Sequence, residues 1–150
     1  MCIRDSVWIF PKGDGLANVG IGVQVSQIKS AAETKAYLDR WIEKHPGYAK
    51  GKKIDMVGGG VSISAPIKQS VTDGLMLVGD AARMIDPLTG GGIANGCIAG
   101  KIAGQVAAEA AAKGDVSKEF LMTYDRGWRK LLEEKLLRNW IAKELSLIHI

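Results

Sequence analysis

The chain has 150 residues, of which 47% are hydrophobic, and its 20 Lys and Arg residues against 16 Asp and Glu residues give a net charge of +4. That length and apolar content suffice for one domain with a buried core or for part of a larger domain. Two cysteines do not make a disulfide framework, no apolar run is long enough to span a membrane, and the modest positive charge does not indicate a nucleic-acid partner.

The two ends of the chain do not look like natural termini. MCIRDS at the front and LSLIHI at the back resemble translated sequencing-adapter sequence, which does not belong to the fold. We therefore predict that residues 1–6 and 145–150 are non-native ends. The remaining chain, about residues 7–144, is then expected to be a piece of a longer protein whose amino-terminal half is missing.

Two β-rich segments begin the informative part of the chain. Residues 7–11 (VWIFP) are followed by the turn cluster KGDG, and residues 17–25 then alternate apolar side chains with small or polar ones. Alternation with a period of two is typical of a strand that buries one face. The sequence therefore predicts a β-hairpin with its turn at residues 12–15.

Trp8 and Phe10 leave the same side of the first strand, because successive side chains of a strand point to opposite faces. On the returning strand Gly20 and Gly22 carry no side chain, and we expect them to leave room for a ligand or a neighbour. The two aromatics could wall an apolar pocket or belong to the core. The pattern alone does not separate these interpretations.

One amphipathic helix and a broken strand follow. Ser30 and Glu33 form a capping-box pattern, and apolar residues recur at helical spacing until Pro46. Residues 54–65 (IDMVGGGVSISA) predict a strand, a glycine break and a second strand. They carry no dinucleotide-binding fingerprint, because the spacing G-x-G-x-x-G is absent. We expect the three glycines to form a β-bulge or a crossing between two sheets of the protein.

A short strand, a Gly-Asp pair and a glycine loop form the centre of the chain. Residues 75–78 (LMLV) predict a buried parallel strand, and Asp80 stands at its carboxyl end, where open α/β sheets bind ligands. The loop PLTGGG then precedes a helix predicted over residues 93–113. The first N–H groups of a helix lack internal partners and attract electron-rich oxygen. Asp80 and the start of this helix are therefore candidate ligand-binding groups.

Glycine recurs every four residues along that helix, at Gly92, Gly96, Gly100 and Gly104. Each interior glycine costs roughly 1 kcal/mol relative to alanine, so we expect another segment to pack close to this stripe. Tight helix packing alone is the alternative to a ligand. Cys97 on the same helix is predicted to be a small buried residue.

Several residues of this central stretch match one motif: Gly79, Asp80, Ala81, Ala82, Pro87, Gly90, Gly91, Gly92 and Ile93. The stretch resembles the second FAD motif of the flavoprotein superfamily that includes the aromatic hydroxylases and the geranylgeranyl reductases. The resemblance implies that Asp80 hydrogen-bonds the ribityl chain of FAD. It also implies that Gly92 and Ile93 present backbone N–H groups near the flavin pyrimidine edge. Gly79, Pro87, Gly90 and Gly91 complete the candidate cofactor-binding set.

A second pattern narrows the resemblance. Trp8, Phe10, Pro11, Gly15 and Gly20 match WxFPxxxGxxxxG, which geranylgeranyl reductases carry in their substrate domain. The resemblance implies that Trp8, Phe10 and Pro11 contact the substrate. It further implies FAD-dependent reduction of isoprenoid C=C bonds on a prenylated lipid or a chlorophyll precursor. The electron donor stays open between NAD(P)H and ferredoxin.

A long helix is predicted near the carboxy-terminal end. Ser117 can cap it, and apolar residues recur at helical intervals to about Glu144. Its many Lys and Arg residues would suit contact with an acidic membrane surface, although a solvated basic face over a packed core is the simpler explanation. The expected location is the cytoplasm, with peripheral membrane contact left open.

The predicted fold is α/β, as part of a Rossmann-like FAD-binding flavoprotein with an antiparallel-sheet substrate domain and carboxy-terminal helices. We place a partial substrate domain at residues 7–71, the end of the FAD-binding domain at 72–115 and a helical extension at 116–144. No side chain stands out as an acid, base, nucleophile or metal ligand, so bound FAD is expected to carry the chemistry and the isolated chain to be inactive. The alternatives are a flavin monooxygenase or halogenase and, from another class, a non-enzymatic packing domain.

Overall fold

The computed structural model describes residues 5–148. Within them the chain divides into two units, with the boundary between Gly58 and Gly59. The first unit holds a hairpin and two helices, and the second holds a very short hairpin and two long helices. The domain boundaries predicted after residues 71 and 115 concern the whole protein and remain predictions.

The first unit is built on an antiparallel hairpin of strands β1 (Asp5–Gly13) and β2 (Leu16–Val23). The turn places Asp14 at φ 48° and Gly15 at φ 73°, the left-handed pair that tight two-residue hairpin turns require. The hairpin predicted from the alternating pattern is therefore confirmed. Strand β2 is shorter than predicted, because a 3₁₀ turn (Val25–Gln27) begins where the sequence still predicts strand.

The glycine face of β2 is filled by the chain itself. Trp8 lies opposite Gly20, and a Cβ built at Gly20 would be 2.2 Å from Cζ2 of the indole. Trp8 Nε1 donates a hydrogen bond to Asn18 Oδ1 (3.1 Å), and its ring lies beside that of Phe10 with the centroids 6.5 Å apart. The two aromatics do share one face. The sequence predicts that the glycine face leaves room for a ligand or a neighbour, and at Gly20 that neighbour is the indole of Trp8.

Helix α1 (Ala31–Glu43) begins directly after Ser30, as the capping-box pattern predicts. The side-chain hydrogen bond differs from a standard capping box, because Glu33 Oε2 accepts the N–H of Lys29 (2.9 Å). The proline that ends the predicted helix also begins the short helix α2 (Pro46–Ala49). Proline suits the first position of a helix because it has no N–H to leave unpaired.

The segment that follows α2 has no regular secondary structure. Residues 52–70 form neither helix nor strand, so the strand, glycine break and strand predicted over 54–65 is wrong. A strand needs a partner for its backbone groups, and here side chains of the last helix take part of that role. These contacts are Lys143 Nζ to Ile63 O (2.8 Å), and Arg129 Nη2 to Ile67 O (2.9 Å) and Lys68 O (2.7 Å).

The second unit begins with the hairpin of strands β3 (Val71–Thr72) and β4 (Leu75–Met76) and continues into a 3₁₀ turn at Gly79–Ala82. The sequence predicts a parallel strand over 75–78. The observed strand stops two residues earlier, and its partner among the described residues is the antiparallel β3. The chain reverses directly before β4 at Gly74 (φ 68°), which brings β3 alongside.

Two long helices form the body of the second unit. Helix α3 (Ile93–Lys113) starts where the sequence predicts, with Gly92 as its N-cap, and ends at Gly114 in the left-handed conformation (φ 66°). Helix α4 (Lys118–Ile148) follows Ser117, whose Oγ accepts a first-turn N–H at 3.3 Å. It extends past the end predicted near residue 144. Over residues 5–148, no helix is long and apolar enough to cross a membrane.

Small residues on one face of α3 let α4 pack closely. Trp128 and Tyr124 of α4 are fully buried in the same cluster as these small residues. At Gly127 of α4 an added Cβ would lie 3.0 Å from Ile102 Cγ2. The residues that the two helices contribute to the core are Ala99, Ala103, Val106, Ala110, Leu121, Tyr124, Trp128, Leu132 and Leu136.

The glycine stripe of α3 is approached closely at part of its length. The Cβ position of Gly96 lies 3.8 Å from Gly79 Cα, and that of Gly100 lies 4.0 Å from Val78 Cγ1. At Gly104 no atom of another described segment lies within 4 Å. Close packing is therefore confirmed at Gly96 and Gly100, where the helix meets the segment after β4.

Cys97 is exposed, so the prediction that it is buried is wrong. Helix α3 buries Asn95 and Ala99, and position 97 lies about half a turn away from both of them. A small residue in a glycine-rich helix is therefore not enough to predict burial, because the phase of the helix decides which side faces the core.

A buried polar network ties α4 to the irregular segment. Asp125 Oδ1 accepts hydrogen bonds from the N–H (2.9 Å) and the hydroxyl (2.6 Å) of Ser70, and Trp128 Nε1 donates to the same hydroxyl (2.8 Å). Arg129 Nε donates to Asp125 Oδ2 (2.6 Å). Burial raises the pKa of Asp125, but the hydrogen bonds from Arg129 and Ser70 outweigh burial and hold it below its usual range.

We predict that this network makes the fold sensitive to acid. Because the folded-state pKa of Asp125 is lowered, its charged form stabilises the fold above the unfolded-state pKa of about 3.9, and the stabilisation is lost as the pH falls through the lowered value. Asp125→Asn should reduce the free energy of unfolding at neutral pH by about 1.5 to 3 kcal/mol and flatten its dependence on pH below about 4.

The measurement is urea unfolding of the chain across the acidic range, with Glu109→Gln as the control because Glu109 is exposed on α3. A pH profile for Asp125→Asn that matches that of the unsubstituted chain would contradict the role of the network.

Candidate functional site

The Gly79-Asp80 pair lies in the 3₁₀ turn that follows β4. Gly79 adopts a left-handed conformation (φ 62°), and its carbonyl accepts the N–H of Met84 at 3.0 Å. Arg83 ends the turn, also left-handed (φ 54°), and its N–H donates to Asp80 O at 3.0 Å. Asp80 is therefore carried on a tightly closed turn, and it remains exposed.

The carboxylate of Asp80 lies next to the start of α3. A Cβ built at Gly92, the N-cap of that helix, would lie 3.2 Å from Asp80 Oδ1 and 3.1 Å from Ile85 Cγ1. No side-chain hydrogen bond from Gly92 can cap the helix, and Ile93 is 88% exposed. Gly79 also contacts the first turns of α3 through Gly96. The structure thus brings together four of the predicted cofactor residues, namely Gly79, Asp80, Gly92 and Ile93.

Between these segments the chain forms a loop closed on itself, which we call the glycine loop (residues 86–92). The N–H of Asp86 donates to Gly91 O (2.8 Å), and the N–H of Gly90 donates to Asp86 O (2.9 Å). Gly90 adopts φ 72°, a conformation that favours glycine. Pro87 is buried, whereas Gly90 and Gly91 are exposed. Of these three predicted residues, the two glycines are therefore accessible to a ligand.

Three buried or half-buried polar residues around the glycine loop were not predicted from the sequence. Asp86 is 5% exposed and accepts hydrogen bonds from Leu88 N–H (3.0 Å) and Asn139 Nδ2 (2.9 Å). Asn95 Nδ2 donates to Met84 O (2.8 Å). An Asp before Pro is a turn signal that could have marked Asp86. No local signal marks the two asparagines, because their partners lie elsewhere in the sequence.

Tyr124 supports the segment that leads from β4 to Gly79. Its hydroxyl donates a hydrogen bond to Leu77 O (2.6 Å). Burial and, to a smaller extent, the charge of Asp125 raise the pKa of Tyr124 to about 12. The phenol therefore remains a protonated donor at neutral pH, and it holds this segment in the same position over the physiological range.

The chemistry of these residues fits a flavin. The carboxylate of Asp80 makes no hydrogen bond or ion pair with another residue in the described part of the chain, so both oxygens can accept from ribityl hydroxyls. Gly92 leaves the N-terminus of α3 without a side chain, and helix N-termini favour electron-rich oxygen. No group of His, Cys, Asp and Glu among residues 5–148 could hold a metal ion.

The predicted substrate residues lie in the hairpin of the first unit. Trp8 is half-buried over Gly20, Phe10 is 58% exposed and Pro11 is exposed. Trp8 and Phe10 together form a raised apolar surface on one face of the hairpin, which we call the aromatic ridge. Exposed aromatic surface of this kind is suited to contact with an apolar chain.

Comparison with known proteins finds relatives that are named reductases. Residues 6–61 match the family model of the geranylgeranyl reductase catalytic domain. The chain is 52% identical over 139 residues to the digeranylgeranylglycerophospholipid reductase of Thermoplasma acidophilum and 51% identical over 138 residues to that of Picrophilus torridus. Each of these alignments covers 92% of this chain and 35% of the relative.

A solved structure has the same fold. It is the crystal structure of a geranylgeranyl bacteriochlorophyll reductase-like protein of Thermoplasma acidophilum, which matches with a TM-score of 0.86 and 50% sequence identity. The match covers 95% of this chain and 36% of that protein. Over almost its whole length the chain is therefore similar to proteins of the geranylgeranyl reductase family, and it spans 35% of the length of the relatives named above.

Proposed function

We propose that this chain is the carboxy-terminal part of an FAD-dependent reductase that saturates isoprenoid C=C bonds of a geranylgeranyl-bearing membrane lipid. The observation that carries the proposal is the free carboxylate of Asp80 beside the side-chain-free N-cap Gly92, in a chain 52% identical to a digeranylgeranylglycerophospholipid reductase. Similarity to this family favours a reductase over a flavin monooxygenase, a halogenase or a packing domain. A prenylated chlorophyll precursor is the alternative substrate.

Asp80, Gly92 and Ile93 would hold the flavin. Asp80 accepts hydrogen bonds from the ribityl hydroxyls, and the N–H groups at the start of α3 donate to the pyrimidine edge, as the resemblance to the FAD motif implies. Gly90 and Gly91 keep the exposed side of the glycine loop free of side chains. Bound FAD supplies the reducing chemistry, with NAD(P)H or ferredoxin as the electron donor. The residues of this chain bind and orient the cofactor.

The aromatic ridge is the proposed contact for the isoprenoid chain. An isoprenoid chain has no hydrogen-bonding groups, so its recognition depends on burial of apolar area. Because the indole of Trp8 covers Gly20, the substrate would lie along the outer faces of Trp8 and Phe10. The hydrogen bond from Trp8 to Asn18 (3.1 Å) holds the indole in place.

A membrane lipid as substrate also implies contact with a membrane surface. We propose that the protein is cytoplasmic and that this contact is peripheral. Cationic side chains on exposed positions of α4 would be attracted to acidic lipid headgroups. These residues are Arg126, Lys130, Lys135 and Arg138.

The first test of the flavin site is Asp80→Ala in the full-length protein, by which we mean this chain with the remaining length of its relatives. A hydrogen bond to a charged group is worth about 1.5 to 3 kcal/mol, so the Kd for FAD should rise roughly ten- to hundredfold. The Kd is measured by titration of flavin fluorescence. Glu109→Ala, which removes an exposed carboxylate from α3, should leave it unchanged. Equal affinity in the two variants would remove Asp80 from the site.

Gly92→Ala and Gly104→Ala form a matched pair that tests the close approach at the start of α3. A Cβ at Gly92 meets Ile85 and Asp80, and it should displace the carboxylate and raise the Kd for FAD roughly tenfold. At Gly104 nothing lies within 4 Å among the described residues, so alanine should leave FAD binding unchanged and increase the free energy of unfolding by up to about 1 kcal/mol.

FAD titration and urea unfolding of both variants provide the measurement. If Gly92→Ala binds FAD as tightly as Gly104→Ala does, the contact between Gly92 and Asp80 does not position the carboxylate.

Trp8→Ala in the full-length protein tests the aromatic ridge. The substitution removes roughly 1 to 3 kcal/mol of apolar contact, and turnover should fall because the double bond is no longer held at a reactive distance. The measurement is steady-state reduction of a geranylgeranyl lipid, with the FAD content determined in each preparation. Tyr48→Ala removes a half-exposed aromatic outside the ridge and serves as the control. Equal turnover, or a loss that lost FAD fully explains, would mean that Trp8 stabilises only the hairpin.

A further inference from the structure

The carboxylate of Asp86 joins the glycine loop to α4. Its Oδ1 accepts the N–H of Leu88 (3.0 Å) and lies 3.4 Å from the backbone N of Thr89. Its Oδ2 accepts a hydrogen bond from Asn139 Nδ2 (2.9 Å) and lies 3.7 Å from Lys135 Nζ. One carboxylate therefore uses one oxygen for the loop and the other for the helix.

Asn139 is the main partner of this carboxylate on the helix side. Asp86 is 5% exposed, and a buried carboxylate is unfavourable unless hydrogen bonds satisfy it. The side chain of Lys135 is 55% exposed, and an exposed ammonium group at that distance contributes little. Removal of the Asn139 amide would leave Oδ2 without its hydrogen bond, and the surroundings of Asp86 would have to change.

If the hydrogen bond between Asn139 and Asp86 is lost, the glycine loop is the part of this arrangement that can move. Residues 88–91 are exposed, whereas α4 is anchored close to Asn139 by the buried residues Leu136 and Lys143. A shift of Asp86 is passed on to Gly91, because the N–H of Asp86 donates to the carbonyl of Gly91 (2.8 Å). Gly91 directly precedes the N-cap of α3, where the proposed flavin contacts lie.

We propose that Asn139 is a positioning residue of the flavin site. Through Asp86 it fixes the glycine loop, and through the loop it fixes the start of α3. Asn139 itself touches neither Asp80 nor the helix N-cap by any hydrogen bond between described residues. The effect on FAD rests on the proposed function, whereas the effect on the loop does not. Helix α4 then supports the cofactor site in addition to packing against α3.

The test is Asn139→Leu in the full-length protein, which keeps the approximate size of the side chain and removes the donor. The Kd for FAD should rise about tenfold. In the absence of FAD, the backbone amides of residues 88–91 should exchange with solvent about tenfold faster, while the amides in the buried part of α4 keep their protection. Glu134→Gln, a change at an exposed position of the same helix, should alter neither quantity.

A charge swap tests whether the hydrogen bond itself is responsible. Asn139→Asp alone places two carboxylates at the 2.9 Å contact, and their repulsion should make it the weakest FAD binder of the series. Adding Asp86→Asn restores a donor and an acceptor with their roles exchanged. The double variant should recover most of the FAD affinity and of the loop protection, which a general loss of packing at position 139 would not allow.

The outcomes separate this inference from the proposed function. Unchanged exchange of the loop amides in Asn139→Leu would overturn the inference, and so would faster exchange with unchanged FAD affinity. Failure of the double variant to recover would overturn it as well, provided that circular dichroism shows a folded protein. If the unsubstituted protein binds no FAD while loop exchange still depends on Asn139, the proposed function fails and the coupling between the loop and α4 stands.

Discussion

The site depends on one steric constraint, the absence of a side chain at Gly92. Asp80 and Ile85 both approach to within 3.2 Å of the position that a Cβ would occupy there, so the Gly-Asp turn and the N-terminus of α3 can meet in direct contact. A second approach of two glycines, Gly79 and Gly96, continues this contact one turn further along the helix. Any larger residue at these positions would separate the acceptor from the helix start, because packed segments have no spare volume.

The rest of the second unit keeps this contact in place. Small residues on α3 allow α4 to approach, and Trp128 fills the space between the helices. Burial of so large a ring requires a partner for its indole N–H, which the hydroxyl of Ser70 supplies (2.8 Å). The same hydroxyl donates to Asp125 (2.6 Å). Apolar packing and the buried polar network therefore stabilise one arrangement, which orders the segment before β3 as well as α4.

The sequence predicted those features that depend on neighbouring residues. The turn at Asp14, the start of α1 after Ser30 and the start of α3 at Gly92 follow from local backbone preferences, and all three are confirmed. The segment over 54–65 was predicted wrongly. The carbonyl of Ile63 in this segment accepts a hydrogen bond from Lys143, which lies 80 residues away in the sequence. The role of Asp86 was missed for the same reason, since its helix-side partner is 53 residues away.

The aromatic ridge shows how one sequence pattern permits two opposite geometries. A glycine opposite a tryptophan can create a vacancy, or it can make room for the tryptophan to lie flat on the backbone. The hairpin adopts the second geometry, with the indole 2.2 Å from the Cβ position of Gly20 and hydrogen-bonded to Asn18. Burial of Gly20 then stabilises the hairpin, while the outer face of the ring remains available. An isoprenoid chain would therefore meet a surface that is already in place, so its binding would not have to order these side chains.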